Sequence, residues 1–200
     1  MADAPHGWMK MTRGAEIIHD SARLSPGASI VGNGRLEVGQ FAVIEPGVTI
    51  DTGSSVDGLI SIGSRSKIKT GSILKSYGGT LIVGRRTSIG EFNLIASHGD
   101  IKIGDECMFG PYVFLNAASH ILDGNDQFRY LGETAVGISV GNGVWLGARS
   151  TILDGVSIGC RSVIGAHSLV LNDVPFGSLA FGEPARVQRK IDGNNHEGIR

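Results

Sequence analysis

The amino-acid sequence predicts an all-β protein, a parallel β-helix of stacked coils, on three observations. Aliphatic residues return every six positions. Glycine makes up 31 of 200 residues, about twice an average usage of roughly 7%. Aromatic residues are only 6% of the chain, so the core is aliphatic and the backbone turns often. A helix would bring apolar residues back after three or four positions, and a half-wet strand would alternate over a longer run. A period of six fits neither. It fits short strands joined by sharp turns, each sending one large aliphatic side chain inward beside a small residue, the hexapeptide pattern of a β-helix. Three hexads close one triangular coil, and coils stack at the strand spacing of about 4.8 Å.

The count begins at Leu24 and Ile30 and runs through Val38, Ile44, Ile50, Val56, Ile62, Ile68 and Leu74, an unbroken series from 38 to 74. It restarts after short insertions at Val83, Ile89 and Ile95, and again at Ile103, Phe109 and Leu115. After a longer break it resumes at Val140, Leu146, Ile152, Ile158, Ile164 and Val170. These positions make about seven coils, a prism roughly 30 Å tall. The residue two places before each aliphatic is usually small, as at Ala42, Ser54, Ser66, Ser72, Ser150, Ser162 and Ser168. Residues 1–20 read as an irregular lead-in with Trp8 packed on the end of the prism, 21–174 as the β-helix, and 175–200 as a C-terminal segment and tail. A coil has no slack, so residues 116–137 must leave the prism as a protruding loop. Loops projecting from a rigid scaffold are where function gathers.

Charge and composition narrow the function. With 18 basic and 19 acidic residues the net charge is −1, which argues against nucleic acid or an anionic membrane as partner. No apolar run approaches the roughly eighteen residues of a membrane span, and the N-terminus has no apolar signal-peptide core. The expectation is a soluble cytoplasmic protein. Cys107 and Cys160 form no CxxC pair and read as reduced thiols.

The segment GNGVWLGARSTILDGVSIGCRSVIGAHSLVLNDVPFGSLAFGEPARVQRKI, 141–191, resembles the C-terminal half of the galactoside, maltose and xenobiotic acetyltransferases, within the hexapeptide acyltransferase family. Their motif runs from a VWIGA-like turn through hexads ending in GAGSVVTKDVP to GxPAKVIRKI. The resemblance implies a left-handed coil, against the usual right-handed crossover. It also implies an O-acetyltransferase carrying acetyl-CoA's acyl group to a sugar or glycan hydroxyl by direct transfer in a ternary complex, with no metal. Each active site would lie between subunits of a homotrimer. The longer N-terminal prism looks more like the acyltransferases that decorate surface polysaccharides.

In that family a protruding loop before the VWIGA turn begins with the catalytic histidine, and His120 holds that place. The chemistry wants this residue type: an imidazole accepts the acceptor's proton at neutral pH and returns it to the departing thiolate. The resemblance gives the oxyanion donor as the backbone N–H of Ala148, and lines the pantetheine groove with Ala148 and Ala166. Trp145 reads equally as a groove residue or as an outward anchor for the loop. Arg186 and Arg189, with Lys190, are the candidates for the cofactor phosphates. The family's Thr-Lys pair is Leu171-Asn172 here, so one cofactor-holding lysine is missing. On the acceptor side, Glu91 and Asn93 align with the sugar acetyltransferases' NFNL segment, and Asn116 and Asp123 flank His120. Asp123 could orient the ring or simply cap the loop. His98 reads as a corner residue and His167 as an outward one. The alternatives are a non-catalytic β-helix scaffold and an N-acetyltransferase of aminosugars or antibiotics. A zinc carbonic anhydrase of the same architecture would need a His-x4-His pair that this chain lacks.

Overall fold

The computed structural model describes residues 16–122, 127 and 130–191. They form a left-handed parallel β-helix with three faces. The first face has seven strands, from Glu16–Ile18 to Ser157–Ile158; the third also has seven, from Ser29–Val31 to Leu169–Val170. The second has nine, from Arg23–Leu24 to Ala185–Lys190. The first coil begins at Glu16, inside the stretch read as lead-in, because Glu16–Ile18 pairs with Leu36–Val38. Trp8 lies outside the described residues.

The period of six places each aliphatic directly above the one below. On the third face Ile30, Ile50, Leu74, Ile95, Leu115, Ile152 and Val170 pair in one column and are buried. Each fully buried side chain of this size is stabilising by about 1.5–3 kcal/mol. The small residues two places earlier point inward too, except Ser54, which is exposed like Val56, and several of their hydroxyls join successive coils. Ser66 Oγ donates to Gly84 O at 2.6 Å and accepts from Thr87 N at 3.0 Å, while Thr87 Oγ1 donates to Gly104 O and accepts from Cys107 N.

One expected inward position is wrong. Val56 is 72% exposed, although Ile50 and Ile62 on either side of it in the count are buried. Val38 stacks on Ile62, 24 residues on, whereas Val140 stacks on Ile158, 18 residues on. The coil therefore carries six extra residues, and an insertion of one full period leaves the phase of the count intact. The series from 38 to 74 is interrupted after all.

The three edges differ. At the first edge, between first and second faces, and at the second, between second and third, the chain turns in six residues in every coil. Non-glycine residues take the left-handed conformation there: Phe41, Arg65, Arg86, Glu106 and Arg161 at the first edge, Phe92, Tyr112, Arg149 and His167 at the second, with φ of 54–62°. That conformation costs a side chain about 1–2 kcal/mol. It aims the backbone N–H at the previous coil: Arg86 N donates to Ser64 O, Tyr112 N to Glu91 O and Arg149 N to Pro111 O, at 2.9–3.0 Å. The third edge, between third and first faces, takes all the extra residues, after Val31, Asp51, Ser76, Ser97 and Asn116. At the C-terminal end, Ser178–Gly182 adds a parallel strand to the second face and Ala185–Lys190 returns antiparallel along it.

Candidate active site

The protruding loop spans 116–137 and is a short hairpin at its base. Asn116 Nδ2 donates to Ala118 O at 3.0 Å as the chain turns outward. Ser119–His120 then pairs antiparallel with Glu133–Thr134, so that His120 faces Glu133. Asp154, on the coil beyond, fixes the returning strand by accepting from Val136 N at 3.1 Å and Gly137 N at 2.8 Å. The His120 side chain is 63% exposed, with Nε2 at 3.8 Å from Glu133 Oε1. The other oxygen, Glu133 Oε2, is 3.3 Å from His98 Nδ1. Ile121, Leu122 and Tyr130 leave apolar surface exposed on the arm. Asp123 lies outside the described residues.

A second group of candidates sits on the second face and second edge. Trp145 points outward between Met108 and Val163 of the neighbouring strands, while Leu146 beside it is buried. Ala148 is half-buried at the second edge, and its N–H donates no hydrogen bond among the described residues. At the equivalent corner position three coils lower, Glu45 Oε2 accepts from Thr70 N at 3.0 Å, and Pro46 and Pro111 carry no donor at all. The glycine before Ala148 has a steric reason: a Cβ on Gly147 would stand 2.5 Å from Ala166 N. Ala166 and His167 are exposed at the same edge. Among the described residues, the Arg186 and Arg189 side chains, on the returning C-terminal strand, hydrogen-bond only to backbone oxygens of their chain neighbours. Lys190 is tied down instead, donating to Phe176 O at 2.8 Å and Ser178 Oγ at 3.1 Å.

The acceptor candidates divide. Glu91 lies at the second edge, paired with Lys69 at 3.1 Å. Its own backbone N–H, and then the Lys69 ammonium, hold its carboxyl below the usual carboxylate range. Asn93 is 1% exposed and works inside the prism. Its Oδ1 accepts from Val113 N, and its Nδ2 donates to Gly90 O at 3.2 Å. Its Oδ1 thus joins one coil to the next while its Nδ2 braces its own corner. His120 and Asn116 thus stand at the third edge, while Glu91, Trp145, Ala148, Ala166, Arg186 and Arg189 stand at the second edge or second face. Sequence reasoning missed Tyr77, Glu133 and Asp154, and read His98 only as a corner residue; Tyr77 and His98 stand at the points where the hexad count slips.

Comparison with known proteins follows this geometry. Residues 137–172 match the family described as Bacterial transferase hexapeptide (six repeats). The galactoside O-acetyltransferase of Escherichia coli is 39% identical over 119 residues, 58% of this chain and 57% of that protein, so the chain spans little more than half its length. A hexapeptide-repeat-containing acetyltransferase of Vibrio cholerae superposes with a TM-score of 0.60 at 32% identity, covering 66% of this chain and 73% of that one. The same Vibrio protein complexed with acetyl coenzyme A superposes with a TM-score of 0.55 at 28% identity, covering 73% and 72%.

Proposed function

This chain belongs to the hexapeptide-repeat acetyltransferase family, and on that premise we propose that it transfers the acetyl group of acetyl-CoA to a sugar or glycan hydroxyl, with His120 as general base. The observation that carries the reading is the split site. His120 stands on an arm at the third edge, whereas the unpaired Ala148 N–H and the two guanidinium groups stand at the second edge and the C-terminal strand. One prism does not bring the two together; an adjoining prism does. The family resemblance implies a homotrimer as the active unit; in this reading each arm reaches the second edge of its neighbour, and the exposed Ile121, Leu122 and Tyr130 are the surface that neighbour covers. The galactoside relative supports a sugar hydroxyl as acceptor, and a cytoplasmic setting fits acetyl-CoA as the donor.

The reaction follows from the groups present. The acceptor oxygen attacks the thioester carbonyl, its proton passes to His120, and a C–O bond forms as the C–S bond breaks. The imidazolium then gives that proton to the thiolate. General-base help of this kind supplies about 10²–10⁴-fold. The Ala148 N–H serves the oxyanion, and a donor in that role is worth about 10²–10³ in kcat. Trp145 and Ala166 would line the pantetheine path, and Arg186 and Arg189 would meet the phosphates. Leu171-Asn172 provides no ammonium there, so the phosphate hold falls to the two arginines.

His120→Ala tests the proposal. Thiol release from acetyl-CoA with a galactoside acceptor should fall by about 10²–10⁴-fold while sedimentation still reports a trimer. Full turnover in a folded trimeric variant would remove the catalytic reading and leave a scaffold.

A further inference from the structure

An arm that leaves the prism for some twenty residues and carries a mostly exposed imidazole needs something to fix where that imidazole points. Glu133 stands directly across the hairpin from His120, and its two carboxylate oxygens face two different rings: Oε1 is 3.8 Å from His120 Nε2 and Oε2 is 3.3 Å from His98 Nδ1. His98 is not on the arm. It belongs to the third-edge insertion of the coil below and follows Ser97, which is in register with Ser76. Its ring is stacked on Tyr77, with centroids 4.0 Å apart and planes 15° from parallel. Tyr77 in turn lies 4.6 Å from Lys75 Nζ, and Lys75 pairs with Asp51 at 3.2 Å. A column of side chains thus climbs the third edge coil by coil and ends at the arm.

We propose that Glu133 is a positioning residue for His120, and that His98, held by Tyr77, ties its carboxylate to the prism. The proposal rests on the reading of His120 as base. At 3.8 Å the carboxylate is too far for a hydrogen bond, so it does not choose the proton-bearing nitrogen of His120. It is close enough to offset the positive charge that appears on the imidazole when the acceptor's proton arrives. Glu133 Oε2 stands 3.3 Å from His98 Nδ1, and a proton on that nitrogen would turn the contact into a hydrogen bond that keeps the carboxylate facing that way. Among the described residues, Asp51, Lys75 and Tyr77 from the coils below, Asp100 in the same insertion as His98, and Asp154 under the returning strand are the other titratable groups around the column. Glu133 acts through His120 and touches neither substrate.

The deciding measurement needs no substrate. In ¹⁵N imidazole spectra of the full chain, above the pH at which its rings lose their second proton, His98 is expected as the Nδ1–H tautomer, reverting to Nε2–H in Glu133→Ala. An Nε2–H ring in the wild type, or an Nδ1–H ring that survives Glu133→Ala, overturns the proposal. Kinetics add a second check. Glu133→Ala and His98→Ala should lower kcat for acetyl-CoA with a galactoside by about 10–100-fold at unchanged KM for acetyl-CoA, and His98→Asn, whose amide reaches the same oxygen, should restore most of it. Unchanged kcat in Glu133→Ala also overturns it. His120→Ala separates the two ideas: full turnover there sinks the base and leaves the His98 tautomer standing, while lost turnover beside an Nε2–H His98 sinks the positioning role alone.

Discussion

At the first and second edges every coil turns in six residues; at the third, Ile152 reaches Ile158 in six while Leu115 reaches Val140 only after twenty-five. The two regular edges are fixed from inside. Their corner residues accept a left-handed backbone so that each N–H meets the coil below, and their inward slots hold small residues whose hydroxyls join the stack. At the third edge the same covalent chain is free to lengthen, since residues added there turn outward and disturb no column. Lengthening is thus confined to one edge of the triangle, and the irregular edge can carry Tyr77, His98, Glu133 and His120 outward because the regular edges hold the register.

The sharpest way to break this contrast is to lengthen each kind of edge by one residue. An alanine inserted between Tyr112 and Val113 would turn Leu115 outward, and the expected result is loss of cooperative folding by circular dichroism. The same alanine between Ser55 and Val56 should shift the thermal midpoint by no more than about 2 °C, the range of a neutral surface change. Equal effects at the two sites would abolish the distinction. A smaller effect is expected at Asn93. Asn93→Ala leaves Val113 N–H without its acceptor and should cost about 1–3 kcal/mol by denaturant unfolding, with KM for the acceptor unchanged; a raised KM at unchanged stability would return this residue to the acceptor site.

The smallest effect sharpens the picture at the first edge, where Arg85 bonds Asp105 at 2.7 Å. The Arg85 guanidinium, and then the Arg85 backbone N–H, hold the Asp105 carboxyl below its usual range. A carboxyl so lowered contributes stability above its unfolded value and loses it as pH falls through the folded one. Arg85→Ala should therefore lower the thermal midpoint slightly at pH 7, with the difference vanishing once the medium is acid enough to protonate Asp105. A difference that persists in acid would assign the effect to something other than the pair.

What the sequence made legible follows the same division. The regular edges could be read because their spacing is fixed, and the aliphatic columns stand where the count puts them. Val56 misled because its insertion equals one period, which a count of spacings cannot detect. The burial of Asn93 was readable: it stands two places before Ile95, the inward slot filled by Ser72 and Ser150 in other coils. The His98–Glu133 contact had no local signal. Those residues are 35 apart in sequence, across an insertion of irregular length, and only the stacking of coils brings them together.

The returning strand at the C-terminal end has two duties that cannot be separated. It occupies the amide row that would otherwise welcome another molecule's strand and let prisms grow end to end into a filament. It also bears Arg186 and Arg189, the two guanidinium groups proposed above to meet the nucleotide phosphates. On that proposal, a chain clipped near Gly182 would forfeit its plug and its grip on the donor in the same stroke.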